Sequence, residues 1–136
     1  MIYLDTDFII NYLIVQNKDF NRIAKKKFEA ISDQRKIFIS LLTLQEISFV
    51  LAKLRMDSYR IIDYISSIEK YVSINYTFSE FKRAQELASV IGFQNINDCL
   101  HTAIAESHCK ELYTFNKNDF SKIKNYTDLK INMLAT

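Results

Sequence analysis

The sequence predicts an α/β fold: a mainly parallel central sheet held between helices, in a three-layer α/β/α sandwich. Three observations point there. Short apolar runs of strand length fall at 1–4, 37–39, 71–74, 111–115 and 131–134, and the segments between them carry apolar residues at the helical period. The composition is 49% hydrophobic with 10 Phe and 8 Tyr, enough apolar side chain to fill a core and too much for a disordered chain. With 136 residues and no repeat or low-complexity stretch, residues 1–136 are expected to form a single domain.

The chain has no Pro and one Gly, so its elements must be ended by capping residues and by changes of period. After the first strand, Asp5, Thr6 and Asp7 offer side-chain acceptors to the amides of a helix over roughly 7–16. A second helix near 19–32 sets Phe20, Ile23, Ala24, Phe28 and Ile31 on one side and its basic residues on or beside the other. Ile37 to Ile39 form a buried strand. Thr43 then caps a helix that turns Leu44, Ile47, Val50, Leu51 and Leu54 inward, with Glu46 at capping-box spacing. Asp57 or Ser58 starts the next helix, with Ile61, Ile62, Ile65 and Ile68 facing the core, and this middle helical pair is a place for a partner to dock. Tyr71 to Ile74 read as a strand, and Phe81, Ala84, Leu87, Ala88 and Ile91 as an amphipathic helix ended by Gly92. Asn97 and Asp98 open a helix, CLHTAIAES, whose Ala103 and Ala105 allow close approach of a neighbouring backbone. Glu111 to Phe115 form a strand, and Ile131 to Leu134 another at the sheet edge.

The bulk numbers exclude several classes. The N-terminal MIYLDTDFIINYLIV is apolar but contains two aspartates and no basic flank, so neither a secretory signal nor a membrane span is expected, and the protein is expected in the cytoplasm. Two cysteines, Cys99 and Cys109, are too few for a disulfide scaffold. A zinc site built from them with His101 and His108 is disfavoured, because on one helix the two histidines lie on the order of 10 Å apart. Both histidines are expected to pack or to meet solvent. A net charge of +2 does not by itself indicate nucleic-acid binding.

Chemistry is carried by four acids that stand where apolar segments turn polar: Asp5 after MIYL, Glu46 in LLTLQEISFVL, Asp98 before CLHTAIA and Asp119 in YTFNKNDF. A carboxylate beside an apolar run is costly to bury unless a positive charge compensates it, and magnesium or manganese is the common intracellular solution. In a parallel α/β sheet, sites form beyond the carboxyl ends of the strands, where Asp5 and Asn116 to Asp119 fall and where Asp98 could face the same crevice. Each acid taken singly is more often a helix cap than a ligand, and it is their joint occurrence in order that favours catalysis.

The motifs YLDTDFIINYL, LTLQEISFVLAKL, NDCLHTAIAESH and LYTFNKNDF, in this order, resemble the PIN-domain ribonucleases, in particular the VapC-type toxins of type II toxin–antitoxin systems. The resemblance spans essentially the whole chain. It implies a small Mg2+- or Mn2+-dependent endoribonuclease, usually a homodimer, often neutralised by an antitoxin protein that inserts a segment into the active-site groove. Asp5, Glu46 and Asp98 match the family's first three acidic positions. At the fourth the chain departs from the pattern: Asn116 stands where an acid is expected soon after threonine, and Asp119 holds the second acidic place, so either completes the site. Asn116 offers an oxygen without charge. Thr6 and Thr114 match hydroxyl positions suited to orienting carboxylates or phosphate, or simply to capping.

On this reading Asp5 and Asp98 hold the ion, Glu46 orients or deprotonates water, and Asp119 with Asn116 completes the shell. Arg22, Lys25, Lys26 and Lys27, with Lys117, Lys122 and Lys124, could hold RNA phosphates without reading sequence, or form a solvated helix face. Other readings are a PIN nuclease outside any toxin pair, a catalytically degenerate PIN-like binding module, and a haloacid-dehalogenase-like phosphatase suggested by Asp5-Thr6-Asp7. The last wants a glycine-threonine turn and a paired aspartate near the end, where Phe8-Ile9 and Asn118-Asp119 serve poorly.

Overall fold

The computed structural model describes residues 1–72 and 75–135. Four strands, β1 (Ile2–Leu4), β2 (Ile37–Phe38), β3 (Glu111–Thr114) and β4 (Lys130–Met133), pair in the order β2-β1-β3-β4. Every pairing is parallel, with Tyr3 opposite Phe38 on one side and Leu112 on the other. Seven α-helices among the described residues supply the crossovers: α1 (Thr6–Leu13), α2 (Lys18–Asp33), α3 (Leu41–Lys53), α4 (Ser58–Ile68), α5 (Phe78–Ile91), α6 (Ile96–His108) and α7 (Lys117–Ile123).

Strand alternation divides the core into two layers. Tyr3, Phe38, Leu112 and Ile131 point into one cluster with Ala84, Leu87, Leu100, Ala103, Ile104 and Phe120 of α5, α6 and α7. Ile2, Leu4, Ile37 and Ile39 point the other way, against Phe8, Ile9, Phe28, Ile47, Leu51 and Ile68 of α1 to α4. This is the expected α/β/α sandwich, and Ala103 and Ala105 are fully buried where close approach was anticipated. Arg83 on α5 locks the outer layer by donating to both carboxylate oxygens of Glu106 on α6 and to the Tyr126 carbonyl. No helix among the described residues is long and apolar enough to cross a membrane.

Several local expectations are corrected. Ser40, not Thr43, caps α3: its Oγ accepts the Thr43 N–H at 3.3 Å, and Thr43 itself is buried in the first turn. Glu46 is therefore free of any capping box; the box in this chain is Thr77 with Glu80 at the start of α5. Helix α1 stops at Leu13 because Ile14 turns extended and Asn17 caps the next helix. Tyr71 to Ile74 do not form a sheet strand in the described part: Tyr71 closes a 3-10 turn, Val72 makes one isolated parallel bridge to Ile39, and Ser73 and Ile74 lie outside the described residues. Ile62 and Leu54, expected inside, are exposed, because each α-helical face here is narrower than the apolar run. Helix α6 begins at Ile96, which sets Asp98 within its first turn. Gly92 has φ +109 with extended ψ, a conformation open to glycine and strained for other residues. Helix α7 was not expected; Asn116 caps it by accepting the Asp119 N–H.

Candidate metal centre

The carboxyl ends of β1 and β3 leave a crevice between α1, α3 and α6. Asp5, Thr6, Asp7, Glu46, Asp98, His101 and Asn116 line a cavity of about 280 Å3 there, together with Ile10, Asn11, Gln16 and Val50. The four chain segments that supply these groups are remote in sequence and meet only because the parallel order brings β1 and β3 side by side.

Each side chain is held by its element. Asp5 ends β1 and caps α1, with Oδ1 accepting the Phe8 N–H at 3.0 Å, and it is only 3% exposed. Asp7 reaches across to β3, where the Phe115 N–H at 2.9 Å and the Thr114 hydroxyl at 3.4 Å donate to it. Glu46 projects from the second turn of α3, and its Oε1 accepts from Thr6 at 2.6 Å and from His101 Nε2. Asp98 enters from α6. Asp119 stands behind Asn116, whose amide donates to Oδ2 at 3.0 Å.

The electrostatics record crowded acids. Burial, then the neighbouring Asp7 carboxylate, pushes the Asp5 pKa well above the ordinary carboxylate range. Asp7 is raised too, chiefly by burial, against hydrogen bonds from Phe115 and others that favour its ionised form. Asp98 is pushed up to about 7, first by burial and further by Asp119 and Glu46, although His101 opposes the shift. Glu46 goes the other way. Burial would raise it, but the hydrogen bonds from His101 and Thr6 leave it below its ordinary value.

Among the described residues, no three His, Cys, Asp or Glu groups stand at ready-made ligand spacing. The donor set still fits a hard cation. Among the described residues no lysine or arginine lines the cavity, and apart from the His101 ring its polar groups are carboxylate, amide and hydroxyl groups, whose oxygens suit a hard cation. Magnesium needs only one or two protein carboxylates and keeps water for the rest of its shell.

The predicted acids Asp5, Glu46 and Asp98 are thus brought together, with Asn116 in the cavity wall and Asp119 against it. Thr6 sits on Glu46, and Thr114 on Asp7 and on the Asn116 N–H. The basic residues are not gathered on the cavity. Arg22 pairs with Asp19 at the surface, Lys25 borders a separate cavity beside α4, Lys26 is exposed, and Lys27 lies 5.9 Å from the Tyr113 ring centre. Lys117 lines an adjoining hollow that shares Asp7 and Asn116 with the acidic one. Two site residues escaped the sequence reading. Asp7 had a signal, since it stands two residues from Asp5 at the same strand end. His101 had one as well: it lies one helical turn after Asp98, on the same side of α6.

The model of the PIN domain family matches residues 2–126 of the chain. Among solved structures, VapBC2 from Rickettsia felis, crystallised on a DNA fragment from its promoter, superposes with a TM-score of 0.71 at 18% identity, covering 97% of this chain and 98% of that one. VapC20 of Mycobacterium tuberculosis, described as a toxin that cleaves the sarcin–ricin loop, gives 0.68 at 15%, covering 94% and 98%. VapBC-1 of nontypeable Haemophilus influenzae gives 0.66 at 22%, covering 97% of each chain. At such identities the likeness is one of fold. No curated protein matches the chain by sequence.

Proposed function

This chain belongs to the PIN domain family, and from that membership we propose that it is a Mg2+- or Mn2+-dependent endoribonuclease, the toxin of a toxin–antitoxin pair. The observation that carries the reading is the convergence of Asp5, Glu46 and Asp98 on one cavity at the carboxyl edge of a parallel sheet. Membership in this family leaves the phosphatase alternative without support.

Asp5 and Asp98 would hold the ion, with Asn116 and Asp119 completing its surroundings. When bound, the ion supplies Lewis-acid stabilisation of phosphate charge and a water nucleophile at neutral pH. The chain's own groups do the rest. Glu46, kept ionised by its donors, is the group able to accept a proton from the attacking water, and Thr6 holds its Oε1 in place. Thr114 and the Phe115 amide hold Asp7 against the cavity wall. Lys117, in the adjoining hollow, is the nearest of the predicted cations to engage a neighbouring phosphate. In-line attack of water at phosphorus forms one P–O bond as the opposite P–O ester bond breaks, and the leaving sugar oxygen takes a proton from solvent.

The solved VapBC complexes and the FitAcB complex of Neisseria gonorrhoeae, to which the fold is similar, support an antitoxin as partner. Exposed Phe49, Tyr59 and Ile62 on α3 and α4 give a second copy or an antitoxin an apolar surface to cover. The test is cleavage of a mixed-sequence RNA with Mg2+ or Mn2+ and with chelator. Asp5→Asn and Asp98→Asn should each abolish metal-dependent cleavage while leaving a folded protein. Cleavage by these variants at the full rate would overturn the ligand assignment. Growth arrest on expression, relieved by the product of a neighbouring gene, separates a toxin from a housekeeping nuclease.

A further inference from the structure

A file of buried hydrogen bonds runs through the core and ends on Glu46. The Tyr3 hydroxyl lies 2.7 Å from Ser40 Oγ and 2.6 Å from His101 Nδ1, and the far nitrogen of the same ring meets Glu46 Oε1. Tyr3 is fully buried and His101 is 1% exposed. Packing alone does not call for these polar atoms. A phenylalanine at position 3 would stack on Phe38 as well as the tyrosine does, so the hydroxyl is retained at the cost of needing partners inside the protein.

The direction of each bond follows from donor capacity. An ionised carboxylate only accepts, so the hydrogen between Glu46 and His101 belongs to Nε2. In a neutral ring Nδ1 is then an acceptor, which Tyr3 satisfies as donor while taking a hydrogen from Ser40. Burial pushes the Tyr3 pKa up, so the phenol keeps its hydrogen to give. With the ring neutral, Ser40, Tyr3, His101 and Glu46 are all satisfied in this sense, whereas a doubly protonated ring reverses the bond to Tyr3.

We propose that Tyr3 and His101 are positioning residues for the nuclease site: Glu46 sets the Nε2–H tautomer of His101, Tyr3 anchors the ring through Nδ1, and the anchored ring fixes the orientation of the Glu46 carboxylate. The inference rests on the nuclease reading for its catalytic consequence, and on the hydrogen-bond geometry alone for the tautomer. Among the described residues the one other group hydrogen-bonded to the Glu46 side chain is Thr6, which reaches the same oxygen. Loss of the histidine would leave the carboxylate free to rotate about its remaining contact.

The test combines three measurements on the full chain. Nitrogen chemical shifts of His101 should show Nε2 protonated and Nδ1 bare, and Tyr3→Phe should keep that tautomer while lowering kcat through the loosened ring. Cleavage of labelled mixed-sequence RNA and Mn2+ affinity by calorimetry should then be followed in Tyr3→Phe, His101→Leu and His101→Gln. His101→Leu should lower kcat roughly ten- to a hundredfold, the usual range for a group that orients a site residue, with little change in KM. His101→Gln, which keeps an N–H where Nε2 was, should restore kcat to within a few-fold, and adding Tyr3→Phe to it should change nothing more. A protonated Nδ1 in the wild type, or a Tyr3→Phe effect of equal size in the glutamine background, would overturn the proposal. If His101→Leu does not fold, the wild-type shifts and the Tyr3→Phe data still decide. If the wild type neither binds Mn2+ nor cuts RNA, the nuclease reading is what falls, and the catalytic part of this inference with it.

Discussion

Replacing Asp98 by asparagine should stabilise the metal-free protein above neutral pH and leave it unchanged in acid. The folded chain holds the Asp98 proton up to about pH 7, whereas the unfolded chain releases it at the ordinary carboxylate value near 4. Between those pH values the native state binds more protons than the unfolded state, so stability falls as pH rises and levels off once the folded carboxyl has ionised. Integrated over that window the loss is on the order of 4 kcal/mol. Asp98 is partly exposed, so solvent screening reduces this to about 2 kcal/mol. Asp98→Asn removes the carboxyl and with it that part of the slope. Asp5 and Asp7, also raised, keep the remainder. The assay is urea unfolding in chelator at several values from pH 4 to 8.5, repeated with Mg2+. In the wild type Mg2+ should restore stability at pH 8, and in the variant much less. Parallel pH profiles for wild type and Asp98→Asn would refute the claim that this acid is held at a cost.

Other consequences are simpler to state. Ser40→Ala removes the cap of α3 and a partner of Tyr3, and should cost about 1–2 kcal/mol in denaturant unfolding, with kcat falling in parallel because the file to Glu46 loses its first member. Thr77→Ala breaks the capping box of α5 and should cost about 1 kcal/mol without touching cleavage. Ile104→Ala, in the layer under Tyr3, opens a cavity and should cost roughly 2–5 kcal/mol. Lys117→Ala should weaken RNA binding uniformly across sequences and lower the slope of log affinity against log salt by about 0.7, the loss of one single-strand phosphate contact. An unchanged slope would remove Lys117 from the RNA path.

The fold was legible because its signals are local. Apolar runs of strand length and the 3.6 period placed the four sheet strands and most helices, and the parallel order followed from their alternation. What escaped was set by contacts that a single sequence does not display. Tyr71 to Ile74 carry three strand-forming residues, yet in the described part only Val72 pairs, through one bridge to Ile39 just beyond β2. A short apolar run does not by itself fix whether its residues join the sheet. Helix α7 is seven residues long with two buried apolar side chains, Phe120 and Ile123, too few turns for a period to emerge. Ser40 and Thr43 are both good caps by composition, and the choice between them depends on where β2 ends.

The site was legible in its acids and not in what holds them. Carboxylates stand out at strand ends because burying them needs a reason, and of the four Asp5, Glu46 and Asp98 line one cavity while Asp119 stands behind Asn116. A histidine or tyrosine in an apolar segment carries no such mark. The hydroxyl of Tyr3 and the ring of His101 are 98 residues apart in sequence, and their meaning exists only when β1 lies under α6. The same holds for Glu46. Its threonine at capping distance gave a sufficient local explanation, and that explanation was wrong because the helix starts three residues earlier. With the cap supplied by Ser40, Glu46 needs other donors, and it finds them in Thr6 and His101, on the two elements that also deliver Asp5 and Asp98. An acid whose local partner has been displaced, and whose actual partners come from the elements carrying the other acids, is bound into the site by the tertiary fold and not by its own helix.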